Sequence, residues 1–171
     1  MRRVIVALSA LAALAALLLT SALAASPVQH ASATLIDVDG NVVGFATFVE
    51  RPDGSVLVNV HASGLTPGQH GIHVHAVGEC APPFASALGH FNPGGHAHGA
   101  HAGDLGNVTA NPAGRANMTQ VVTQFTLSAG THSLFDADGS ALVIHAGPDD
   151  LVSDPAGNSG PRVICGVIER R

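Results

Sequence analysis

The sequence predicts an all-β fold: about eight antiparallel strands forming a sandwich or flattened barrel, with two long loops outside the strand rhythm. Three observations carry this. Short runs rich in Val, Ile, Thr and Phe recur along the chain, separated by clusters of Gly, Pro, Asn and Asp. Apolar residues at a helical spacing are missing after the first 24 residues. Residues of a strand point alternately to opposite faces, and that alternation is plain in Ala31-Ser32-Ala33-Thr34-Leu35 and Val56-Leu57-Val58-Asn59-Val60.

Taken in order, the predicted strands cover residues 28–38, 42–49, 55–61, 70–76, 105–110, 115–127, 141–146 and 162–169. Asp39-Gly40-Asn41 joins the first two and Pro52-Asp53-Gly54 the second and third, both favoured for tight turns. Thr66-Pro67-Gly68 precedes the fourth, Asn111-Pro112-Ala113-Gly114 links the fifth to the sixth, and Asp138-Gly139 precedes the seventh. Residues 77–104 and 147–161 are rich in Gly, Pro, His and Asp and have no hydrophobic period. Long loops inside a compact domain are functional or disordered. Here they contain most of the candidate ligands, so they read as a site carried by a rigid scaffold.

Residues 1–24 stand apart. Arg2 and Arg3 precede an apolar run from Val4 to Leu19 broken only by Ser9, and Ala22 with Ala24 forms an A-x-A cleavage site. The pattern is that of a secretory signal cut after Ala24, leaving 25–171 as one domain; a retained anchor is the alternative, but the run is short for one. The mature protein is therefore expected to be exported, to a periplasm, the cell surface or the medium, and free of the membrane. It would set five Arg against twelve acids, a net charge of −7, with no Lys anywhere in the chain. Such a chain has no basic face for phosphates, which argues against nucleic acid as a partner. Its 46% apolar and 11% charged residues exclude a disordered chain.

Eleven His against seven Arg is the outlying number, and it points toward metal. On a strand, His73 and His75 of Gly71-Ile72-His73-Val74-His75 share a face and can converge on one ion. His90-Phe91-Asn92-Pro93 is followed by His96, His98, His101 and Asp104, a set of imidazoles with one carboxylate that suits Zn(II) or Cu(II). His145 ends the apolar run Val143-Ile144, a costly place for a polar ring without a partner. His30, His61, His70 and His132 lack ligand-like neighbours and read as surface or sheet-face residues. Cys80 and Cys165, an even pair in an exported chain, are most simply one disulfide; a pair of thiolate ligands is the alternative.

Five segments in order resemble the copper/zinc superoxide dismutases: Gly71 to Gly78 (GIHVHAVG), His90-Phe91-Asn92-Pro93, His101 to Asn107 (HAGDLGN), Val143-Ile144-His145, and Gly157 to Ile168. The resemblance covers residues 30 to 169 and implies an eight-stranded antiparallel Greek-key barrel of immunoglobulin-like sandwich form. It implies copper held by His73, His75, His90 and His145, with His90 shared with a zinc completed by His98, His101 and Asp104. His98 fits the family motif because it stands eight residues after His90 and precedes Gly99; His96 is the alternative. Asp149 matches a carboxylate that orients one copper and one zinc histidine. Arg162 matches the cation beside the open copper position, and Cys80 with Cys165 matches a disulfide that ties a loop to the barrel. The implied substrate is superoxide, with Arg162 and His90 as catalytic residues; a homodimer is one expectation for the assembly. An exported copper or zinc carrier on the same barrel is the rival function, and it has no need of Arg162.

Overall fold

Among residues 28–171, which the computed structural model describes, nine strands form; the expected signal segment 1–24 lies outside the described residues. They are β1 (His30–Asp37), β2 (Val42–Glu50), β3 (Val56–Ala62), β4 (Gly68–His75), β5 (Asp104–Ala110), β6 (Ala116–Val122), β7 (Ala141–His145), β8 (Arg162–Val167) and β9 (Glu169–Arg170). Neighbours around the barrel run β1-β2-β3-β6-β5-β4-β7-β8 and back to β1, all antiparallel. Two of the seams are thin. β5 meets β6 through Ala110 and Ala116 alone, and β8 meets β1 through Ile36–Cys165 and Asp37–Ile164. The barrel is therefore flattened into two four-stranded sheets, and the β3–β4 and β6–β7 connections cross between them in Greek-key fashion, as expected.

Most strand ends lie one or two residues from the expectation, and the sixth and the last strand differ more. The sixth strand stops at Val122 rather than running to 127, although Phe125 and Leu127 are fully buried with the spacing of a strand. They reach the core from a loop. The backbone N–H groups of Leu127 and Ser128 donate to the buried Glu50 carboxylate at 2.8 and 2.6 Å, so no ladder partner is needed there. The last strand breaks at Ile168, whose N–H turns away to Ser140 O, and β9 restarts against β1.

Alternation decides what each face does. Leu35, Phe48, Val58, Ile72, Val74 and Ile144 point into the barrel and are fully buried, with Phe48 and Phe125 packed edge to face at 6.5 Å. His73, His75 and His145, out of phase with them, stand on the outer wall of the β5-β4-β7-β8 sheet. A smaller cluster of Phe84, Ala87, Ala141, Val143 and Cys165 covers that wall beside them, and the Cys80–Cys165 disulfide pins the 77–104 segment there. The outer face of the β1-β2-β3-β6 sheet is left bare, in three cross-strand rows. Phe45 lies between Thr34 and His61, with Asn117 beyond; Thr47 lies between Ser32 and Asn59, with Thr119 beyond; Val49 lies between His30 and Leu57, with Val121 beyond.

Candidate metal centre

The outer wall of β4 and β7 presents His73, His75 and His145, and the 77–104 segment lays His90 across them. His90 pairs with His75 in an isolated bridge, and its ring stacks on His73 at 4.0 Å. One nitrogen of each of these four rings lies within 4.8 Å of the other three. The second nitrogen of three of them is anchored to an acceptor. His73 Nε2 donates to Asp149 Oδ2 at 2.7 Å, His75 Nδ1 to Leu88 O at 2.8 Å, and His145 Nδ1 to Gly160 O at 2.9 Å. Such anchors fix ring tautomer and aim the free nitrogen.

Chemistry of the free atoms tests whether a metal fits. Among the described residues six buried side-chain polar atoms lack a hydrogen-bond partner, and five are ring nitrogens: His73 Nδ1, His75 Nε2, His90 Nε2, His145 Nε2 and His98 Nδ1. Orphaned buried acceptors are costly, and a cluster of them is what a cation would satisfy. Burial drives the pKa of His73 down to about 3 and that of His75 to about 2, and lowers that of His145 as well. All three rings are therefore neutral at ordinary pH, with the lone pairs a metal requires.

The second group shares His90. Its Nδ1 lies 2.7 Å from Asp104 Oδ1 and 3.3 Å from His101 Nδ1; His101 Nδ1 lies 3.2 Å from Asp104 Oδ1, and His98 Nδ1 3.5 Å from Asp104 Oδ2. Four ligands about 2.0–2.1 Å from a tetrahedral ion lie about 3.3 Å apart, so the spacing fits zinc. Burial tends to raise the Asp104 pKa, but hydrogen bonds from His90 and the His101 backbone N–H hold it well below the usual carboxylate range. Asp149, fully buried, joins the two groups by accepting from His73 through Oδ2 and from His98 Nε2 through Oδ1 at 2.8 Å. Its pKa, raised by burial, is brought down overall by those bonds and by the Leu151 N–H. Gly157 lets the 147–161 loop close over this carboxylate: a Cβ there would sit 1.8 Å from Asp149 Oδ1, and its φ is +62°.

Arg162 pairs with His145 across the β7–β8 register shift, and its guanidinium donates to Phe84 O at 2.5 Å and to Leu88 O. Leu88 O thus serves both the Arg162 guanidinium and His75. Leu88 adopts φ 57° and ψ −147°, a conformation other residues leave to glycine, and this turns its carbonyl toward both donors.

Every predicted ligand enters one of the two groups, and His98 rather than His96 lies in the cluster. His96 is exposed, its backbone held by the Asn92 amide at 2.9 and 3.0 Å. His70 departs from the sequence reading. It is buried, not on a surface, with Nδ1 2.8 Å from His145 O and Nε2 2.7 Å from Thr66 O, tying the β3–β4 crossing to the end of β7. Asn107 also escaped assignment: its Nδ2 donates to Asp149 O at 2.9 Å and its Oδ1 accepts from Asp149 N at 2.7 Å. The motif His101 to Asn107 was its only signal. The carbonyls of Leu88, Phe84 and Gly160 had none, because backbone acceptors carry no residue code.

A Greek-key barrel with two ligand clusters sharing one imidazole on its outer wall is the class this fold and site define. The sequence model of the copper/zinc superoxide dismutase family matches residues 42–168, and the chain belongs to that family. It is 48% identical over 148 residues to "Superoxide dismutase [Cu-Zn] 2" of Aquifex aeolicus, covering 81% of this chain and 85% of that protein. Among solved structures it is similar to a SOD-like protein from Bacillus subtilis (34% identity, TM-score 0.76, 80% of this chain and 96% of that one). It is also similar to the Cu/Zn superoxide dismutase from Brucella abortus (30% identity, TM-score 0.68, 82% and 99%).

Proposed function

We propose that this chain performs its family's reaction, the dismutation of two superoxide anions and two protons to dioxygen and hydrogen peroxide, with the residues that the sequence singled out. His73, His75, His90 and His145 would hold copper; His90, His98, His101 and Asp104 would hold zinc. The observation that carries this is the set of five buried, unpartnered ring nitrogens, in two groups that share His90.

Bound copper supplies the one-electron couple that the reaction needs and bound zinc a fixed charge. The rest is the work of side chains. Arg162, clamped by two carbonyls, offers a fixed cation to an anion with no other handle. His90 Nε2 is the atom at which a proton is held and from which it passes to the second superoxide, while Nδ1 keeps the ring among the zinc donors. Asp149 holds His73 and His98 in register with each other, so both groups share one frame.

A carrier would keep the ligands but gains nothing from the Arg162 clamp. The test is metal analysis and a superoxide-decay assay on the loaded mature protein. One copper and one zinc per chain with accelerated decay is the expected result; both metals bound with decay at the buffer rate would leave a carrier.

The reading includes export after cleavage at Ala24, with residues 25–171 as the mature domain outside the membrane. The Cys80–Cys165 bond suits an oxidising compartment, and among the described residues no helix is long and apolar enough to cross a bilayer. An N-terminus at Ala25 on secreted protein is the expected finding. The mature chain also pairs as a homodimer in this reading.

A further inference from the structure

Beyond Asp149, the 147–161 loop is a turn braced by its own hydrogen bonds. The Asp150 carboxylate accepts from the backbone N–H groups of Val152 and Ser153 at 3.0 and 2.8 Å and from Asn158 Nδ2 at 2.8 Å. Asp150 N donates to Gly157 O at 2.9 Å, and Gly157 N to Ser153 O at 2.7 Å. Leu151 and Val152 are 54% and 76% exposed, so burial of their side chains does little to hold the turn in place. What the turn presents is Asp154, whose Oδ1 accepts the backbone N–H of His98 at 2.6 Å, across 56 residues of sequence.

His98 is therefore held twice by one loop: its ring through Nε2 by Asp149 Oδ1 at 2.8 Å, its main chain by Asp154. Its Nδ1 is left buried without a hydrogen-bond partner. Gly99 packs closely on the same loop, for a Cβ there would run into Leu151 O. Other members of the second group are fixed nearer home. His90 bridges to His75, and His101 N donates to Asp104 Oδ2 at 3.0 Å.

We infer that Asp154 is a positioning residue for the zinc ligand His98. It fixes the main chain on which the imidazole pivots, while Asp149 fixes the ring. The inference rests on the zinc reading of His90, His98, His101 and Asp104. A ring tied only at Nε2 still swings with its backbone, and residues 94–99 include three Gly, so that stretch has little stiffness of its own. Groups that orient a ligand without touching the ion change metal affinity about 10- to 100-fold when removed. Asp154 acts through the backbone and is exposed to water that can replace it, which places its effect at the low end, about tenfold. The effect falls on release, because a ligand free to swing away opens the path out.

Zinc release from the loaded mature protein to an excess of chromophoric chelator reads this without turnover. Asp154→Ala should speed release about tenfold. Asp154→Asn keeps an oxygen that accepts the His98 N–H and should release zinc near the wild-type rate. Both metal-free variants should unfold at urea midpoints close to the wild type, which separates positioning from a folding defect. With cobalt(II) in place of zinc, the visible absorption should shift in Asp154→Ala and not in Asp154→Asn. Release at the wild-type rate from Asp154→Ala would overturn the inference. So would equal acceleration in both variants, which would make Asp154 a source of charge and not of position. His98→Ala tests the reading beneath: zinc held there as in the wild type would overturn the zinc assignment itself. Fast release from His98→Ala but not from Asp154→Ala would overturn the role of Asp154 alone.

Discussion

Replacing Arg162 by Ala removes the guanidinium that, in the proposed reading, docks the anion beside His75 and His145. A univalent anion about 5 Å from a guanidinium gains about 3 kcal/mol at an effective dielectric of about 20. Arg162 is partly open to solvent, which screens the pair and brings the expected loss to about 1.4–2.8 kcal/mol. In kcat/KM that is a fall of about 10- to 100-fold. Neither metal should be lost. Arg162 is in neither ligand group, and Leu88 O still accepts from His75 Nδ1 when the guanidinium is gone. Arg162→Lys should fall between the two, keeping a charge but not the two-carbonyl clamp. The assay is superoxide decay at several ionic strengths, with metal content measured on the same samples. The variant should also lose part of the wild-type salt dependence, which is itself modest because the chain has no Lys to extend a positive field. An Arg162→Ala protein that removes superoxide at the wild-type rate with both metals bound would refute the docking role.

His98→Ala should reduce zinc affinity more than about 100-fold, whereas His96→Ala should leave zinc bound; competition with a chromophoric chelator separates them. Asn107→Ala deprives both backbone polar groups of Asp149 of their partner, so the metal-free protein should lose about 1–3 kcal/mol in denaturant titration and zinc should leave faster. Acidity should destabilise the metal-free protein from about pH 6.5 downward. His73, His75 and His145 have folded pKa values depressed by burial, so the unfolded chain takes up protons there that the native protein refuses. Each such ring costs up to about 1.4 kcal/mol per pH unit. Asp104 and Asp149, depressed in the folded state, add their loss only as pH falls below the ordinary carboxylate range near 3.8. A midpoint in urea flat between pH 7 and pH 5 would contradict the histidine part.

Much of this was written in local patterns. Alternation and turn residues located the first eight strands, because a sheet with one buried face must alternate and a hairpin must turn on Gly or Asn. The H-x-H of β4 and the imidazoles that accompany Asp104 in the 77–104 segment point to metal, because metal chemistry restricts the residue types that serve; the division into two groups and the choice of His98 over His96 come only from the family resemblance. Phe125 and Leu127 misled for the same reason: burial at every second residue looks like a strand even when a Glu50 carboxylate, 75 or more positions earlier, satisfies the backbone. His70 was illegible because its partners are the carbonyls of Thr66 and His145, one of them on a distant strand. The double duty of Leu88 O was hidden in the same way, since it depends on a positive φ that a Leu codon does not announce.

Strand β4 places its two functions on alternate residues, Ile72 and Val74 inward, His73 and His75 outward. A slip of one residue against β7 would drive two imidazoles into the barrel and strip the wall of half its first histidine group in the same stroke. Assembly errors in this strand are thus never silent: a misaligned chain loses its oil-filled centre and its chelating power together. Metal occupancy then doubles as quality control, because an ion withheld from slipped chains and captured by aligned ones rewards correct pairing by mass action. Cells that export such a chain before metallating it would be proofreading its weave with the same atoms that later serve as its cofactors.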